Sequence, residues 1–148
     1  MTAAHCIQAS IGLNKYIEIL LENNYFTGII GAGVGTSDRN DVGLIQGDFS
    51  NFHSLPVDFY NLNFYHPPYQ VYSACGFPYL QNKITCSDFT PISNYGFSIR
   101  GIGHLIPGMS GGPVLRDDVV IGVNSAMIEG GALIAPVAGS LGMFNIEP

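Results

Sequence analysis

Almost every apolar run in this chain is short and is cut by glycine, asparagine or proline, which favours strands over helices, although Leu13 to Asn24 also admits a reading as a helical stripe. The pattern predicts short strands joined by tight turns. The runs are rich in β-branched and aromatic residues, as at Lys15 to Leu21, Tyr25 to Ile30 and Val119 to Val123. Nineteen glycines and nine prolines supply the breaks, and 47% apolar residues in a chain of 148 are enough to bury a sizeable core. With 11% charged residues the chain has neither disordered nor coiled-coil character. The expected fold class is all-β, a barrel or a sandwich.

A formal net charge of −6, with five lysines and arginines scattered singly, offers no electrostatic footprint for nucleic acid or an anionic membrane, so neither is expected as a partner. No stretch reads as a membrane span: the uncharged segment from Gly130 to Ile146 is interrupted by Pro136, Asn145 and glycines. No signal-peptide pattern opens the chain. His53 and His66 have no cysteine, histidine or acid at zinc-site spacing, so no metal is expected and no cofactor is implied. The glycines between Ile29 and Thr36 invite a dinucleotide-binding reading that fails on spacing. Thr36 stands where the third glycine belongs, and Ser37 to Asn40 form helices poorly.

Chemistry concentrates at Gly108-Met109-Ser110-Gly111-Gly112-Pro113, a serine boxed in by glycines between two strand-like runs. Such a string can be an ordinary turn. It also meets the needs of a nucleophile, because a serine hydroxyl requires a base and the oxyanion it generates requires fixed N–H donors. Gly108 lets its own N–H and that of Ser110 point at one spot. A base and an acid stand elsewhere: Thr2-Ala3-Ala4-His5-Cys6 supplies a histidine, and Asp41-Val42-Gly43-Leu44-Ile45 places an acid before an apolar run. Asp41 reads either as an exposed loop acid or as a buried carboxylate orienting His5, with Asp38 as the fallback. The order His, Asp, Ser is that of chymotrypsin, not of subtilisin or the α/β-hydrolases.

On these three motifs the chain resembles the chymotrypsin-like serine proteases, over nearly its whole length. The spacing between motifs is shorter than in the animal digestive enzymes and similar to the bacterial HtrA-like and glutamyl-endopeptidase branches or to viral proteases. The resemblance implies two Greek-key antiparallel β-barrels, with residues 1–60 as the remainder of an N-terminal barrel and 61–148 as the C-terminal barrel. Met1 falls where the family would still be inside its first barrel, so the opening strands are expected to be missing. The implied activity is that of a serine endopeptidase acting on a protein or peptide substrate, with His5, Asp41 and Ser110 as the triad and Gly108 and Ser110 as the oxyanion hole. The alternative is an inactive or fragmentary homologue that serves as a protein-binding module. A secreted, periplasmic or extracellular setting is implied by the same resemblance.

By position in the motif, the substrate pocket should be walled by His104, Asn124, Ser125 and Met127. No carboxylate stands there, which argues against a preference for lysine or arginine. His104 either favours acidic or amide side chains or turns away, leaving an apolar pocket lined by Ile106 and Met127. Where trypsin-like zymogens carry an aspartate before the nucleophile, this chain has Met109, so an activation switch based on that ion pair is not expected.

Three cysteines leave one odd. In many members of the family the cysteine after the histidine bridges to one upstream, and Cys6 has none before it. Cys75 and Cys86 flank a hairpin turn at Leu80-Gln81 and read either as a bridge between two strands or as two buried thiols. Elsewhere the expected elements are a hairpin around Glu22 to Asn24, an inter-barrel connector from Phe49 to Gln70, and second-barrel strands beginning near Val71 and ending with Ala132 to Pro136.

Overall fold

The computed structural model describes residues 1–7, 16–21, 24–30, 40–45, 49–50, 52–60, 70–81, 83–138 and 140. The stretch from Gly31 to Thr36, Asp38, His66 and residues 61–69 of the expected connector lie outside the described residues. The elements are almost all strands: β1 (Tyr16–Leu21), β2 (Asn24–Ile30), β3 (Tyr72–Gly76), β4 (Thr85–Tyr95), β5 (Ser98–Gly103), β6 (Pro113–Arg116), β7 (Val119–Ile128) and β8 (Gly131–Pro136). One helical turn, α1 (Ala4–Ile7), and a 3₁₀ turn at Pro78–Leu80 complete the described set. The hairpin expected around Glu22 is present as the antiparallel pair β1 and β2, with Asn24 already in the second strand.

Strands β3 to β8 close into a six-stranded barrel in the order β3, β4, β5, β8, β7, β6. Closure leaves no sheet edge, and a barrel this narrow is filled by its own side chains. Tyr72, Ala74, Phe89, Ile99, Leu105, Met109, Val114, Ile121, Ala132 and Ile134 form that filling. A second cluster, Ala3, Val42, Val123 and Ala135, packs the N-terminal segments onto β7 and β8. Ala3 and Val42 flank His5 and Asp41 in sequence, so this apolar contact seats both beside the barrel.

Strand β7 carries two irregularities. Val114 pairs with Gly122 and Leu115 with Val120, leaving Ile121 as an extra residue; Asn124 pairs with Ile134 and Ala126 with Leu133, leaving Ser125 as another. Each bulge breaks the in-and-out alternation of the strand and re-aims the residues beyond it. Cys75 and Cys86 face each other across β3 and β4 and form a disulfide, so they are a bridge between strands and not two buried thiols. Cys6 is a free, exposed thiol.

Candidate active site

The segments carrying His5 and Asp41 are zipped together by two backbone hydrogen bonds: Thr2 N–H donates to Gly43 O at 2.9 Å, and Gly43 N–H to Thr2 O at 2.7 Å. Beyond this bridge the chain turns into α1. There the His5 backbone N–H donates to Asp41 Oδ1 at 2.8 Å, and the ring Nδ1 stands 2.6 Å from Asp41 Oδ2. Ser125 Oγ donates to the same Oδ2 at 2.6 Å. Asp41 is only 4% exposed. A carboxylate so buried needs its charge satisfied by donors, and three converge on it. The acid is therefore buried and paired with His5, not an exposed loop acid.

The serine loop reaches this pair from the barrel. Gly111 N–H donates to Asn124 O at 2.9 Å, Asn124 N–H to Gly112 O at 2.8 Å, and Gly112 N–H to Met109 O at 3.1 Å. Gly108 and Gly111 adopt φ of +99° and +83°, the left-handed region that side chains disfavour. At Gly111 a Cβ would also run into Thr2 Oγ1 and Ala3 N, so glycine allows the loop to lie directly against the histidine segment. Met109 points the other way and is 1% exposed, filling the barrel interior. Its thioether is part of the core, with no ion pair to make.

Ser110 is exposed, and its hydroxyl donates to Ser125 O at 3.4 Å. Among the described residues no hydrogen bond joins Ser110 to His5, and His5 Nε2 lies 3.7 Å from Cys6 Sγ. The two halves of the site meet through Ser125, whose hydroxyl holds Asp41 and whose carbonyl receives Ser110. Neither the Gly108 nor the Ser110 backbone N–H donates to a carbonyl among the described residues. The Cys6 thiol is pushed up from its ordinary range by desolvation, with the Asp41 charge adding to the effect. That keeps the sulfur protonated beside His5.

The four expected pocket residues divide. His104 is exposed, its carbonyl accepts from Ser87 Oγ at 2.8 Å, and its ring has no hydrogen-bond partner among the described residues. Met127 is 44% exposed and its sulfur accepts the Leu105 N–H at 3.2 Å, so it bridges from β7 to the chain after His104. Asn124 and Ser125 direct their side chains elsewhere, which corrects their assignment to the pocket wall. Asn124 is fully buried and donates into the barrel, to Cys75 O and Met109 O. Ser125 points at Asp41 because, as the bulge residue, it leaves the alternation that a regular strand would impose. Among the described residues no group of three histidines, cysteines or acids is placed to hold a metal ion.

A closed β-barrel with a glycine-bounded serine loop, set against a buried His–Asp pair, is the architecture of the chymotrypsin-like fold, and comparison with solved structures agrees. The crystal structure of Deg5 superposes with a TM-score of 0.63 at 19% identity, over 92% of this chain and 71% of that one. Two scabies mite inactivated protease paralogues, S-I1 and S-D1, superpose with TM-scores of 0.66 and 0.64, each at 12% identity over 97% of this chain and 80% of theirs. No protein-family profile and no curated protein matches the sequence.

Proposed function

We propose that the chain is a serine endopeptidase. The observation that carries this reading is the Asp41 carboxylate, buried and held by His5 Nδ1 at 2.6 Å, by Ser125 Oγ and by the His5 backbone. This arrangement places the ring proton on Nδ1 and leaves Nε2, with the Cys6 thiol 3.7 Å away, as the basic nitrogen. On this reading the Ser110 side chain has to turn away from the Ser125 carbonyl, which it now engages at 3.4 Å, and present its hydroxyl to Nε2. His5 takes the proton as Oγ attacks the scissile carbonyl, and the negative charge on the former carbonyl oxygen is received by the N–H groups of Gly108 and Ser110. His5 then returns the proton to the leaving amine, and water, deprotonated by the same ring, releases the acyl group. The substrate is a protein or peptide. The Cys75–Cys86 disulfide supports a setting outside the reducing cytoplasm.

A second reading has its own support. The Ser110 hydroxyl is engaged with Ser125 O and not with His5, and two of the similar structures are of inactivated paralogues. On that reading the cleft binds a peptide without cutting it. Incubating wild type and Ser110→Ala with a diverse peptide mixture separates the two. Cleavage at defined bonds by the wild type alone supports the peptidase; retained peptide binding with no cleavage supports the binding module.

A further inference from the structure

The two N–H groups that would receive the oxyanion belong to peptide units whose carbonyls are both held from behind. A peptide is planar and trans, so its C=O and N–H point in opposite directions and fixing one aims the other. The Ser110 N–H shares its unit with the Met109 carbonyl, and that oxygen accepts Asn124 Nδ2 at 3.1 Å and Gly112 N–H at 3.1 Å. The Gly108 N–H shares its unit with the Pro107 carbonyl, which accepts the Tyr79 N–H at 2.6 Å. Tyr79 reaches it from a left-handed backbone position, φ 51° and ψ 31°, in the turn just beyond the Cys75–Cys86 rung.

Asn124 is the one side chain in this arrangement. Its amide nitrogen also donates to Cys75 O at 2.7 Å, and the whole residue is excluded from solvent. The orientation of the amide is dictated by its surroundings: turned over, its oxygen would face two carbonyl oxygens. Oδ1 is left buried without a partner, an unfavourable state that the fold tolerates while both donor contacts are kept. Its backbone binds the same loop, through the bonds to Gly111 and Gly112.

We propose that Asn124 is the positioning residue of the oxyanion hole, tying the Met109–Ser110 peptide to the disulfide-bonded strand β3 so that the Ser110 N–H faces outward before substrate arrives. This deepens the endopeptidase reading and rests on it. In a site whose preceding residue is an apolar Met109, the restraint comes from a buried amide and not from an ion pair.

The test uses Asn124→Leu, similar in size with no donor, with kcat and KM measured on one peptide and enzyme concentration set by active-site titration. Because Gly112 N–H still holds Met109 O, the expected loss is smaller than deletion of an oxyanion donor: kcat falls about 10- to 100-fold while KM stays within about twofold. An unchanged kcat, or a loss confined to KM, overturns the proposal. A second measurement needs no variant: both side-chain amide protons of Asn124 in the wild type should exchange slowly with D₂O, and exchange as fast as that of a surface asparagine overturns the clamp even if Asn124→Leu does not fold. A wild type that cleaves nothing while its Asn124 amide is protected would sink the endopeptidase reading and leave the clamp standing.

Discussion

Replacing Asp41 by asparagine removes one charge and adds one proton pair, and the surroundings decide where the amide goes. The His5 backbone N–H, 2.8 Å from Oδ1, requires an acceptor there, so the new NH₂ must take the Oδ2 position facing His5 Nδ1 and Ser125 Oγ. Ser125 adapts, because a hydroxyl can accept as well as donate. His5 cannot adapt without harm: Nδ1 becomes the acceptor and the proton moves to Nε2, the nitrogen that has to be bare to receive the Ser110 proton. The loss expected for this wrong tautomer is roughly 10⁴-fold in kcat, or about 5 kcal/mol of transition-state stabilisation. The fold should survive, since the hydrogen-bond count is kept and only charge assistance is lost. At about 2 kcal/mol this lowers the melting midpoint by roughly 4–8 °C. Peptide hydrolysis at a fixed titrated enzyme concentration, alongside thermal unfolding, reads both quantities. Asp38→Asn is the control. If Asp38→Asn carries the large loss and Asp41→Asn does not, or if Asp41→Asn costs less than tenfold, Asp41 is not the acid that orients His5.

Two further substitutions probe the same geometry. Gly111→Ala forces a side chain into φ +83° and against Thr2 Oγ1 and Ala3 N, so it should cost about 2–3 kcal/mol in denaturant melts and, by pushing on the histidine segment, lower kcat at least about tenfold; a neutral result would mean the loop does not lie against that segment. Replacing Cys75 and Cys86 together by serine opens a bridge with a sequence separation of 11, which should cost about 3 kcal/mol in denaturant melts and lower kcat more than KM, since Cys75 O anchors Asn124; unchanged melting would show that the rung is dispensable.

Several strands of the barrel were readable from sequence because they open as short β-rich runs bounded by glycine, proline or a polar turn, whereas the eleven-residue β4, with Pro91 inside it, was not readable to its end. The expected start near Val71 falls one residue before β3, the run at Val119 to Val123 opens β7, and Ala132 to Pro136 lies within β8. The place of His5 on a helical turn was not readable: four residues carry no periodicity, and the turn forms because Ala4 and Ile7 are buried while Asp41 receives the His5 N–H. The roles of Asn124 and Ser125 were hidden for a different reason. Alternation along a strand tells which residues share a face only while pairing is regular, and the bulge at Ser125 breaks that phase. Its bond to Asp41 spans 84 residues and leaves no local mark in the sequence.

Whether Ser110 is an activated nucleophile is tested most directly by treating the folded protein with a fluorophosphonate and locating the adduct by peptide mass analysis. The expected result is a single adduct on Ser110, absent in Ser110→Ala and lost or greatly slowed in His5→Gln. A folded protein that takes up no reagent, or one labelled at Ser125 or another serine with Ser110 untouched, would contradict it.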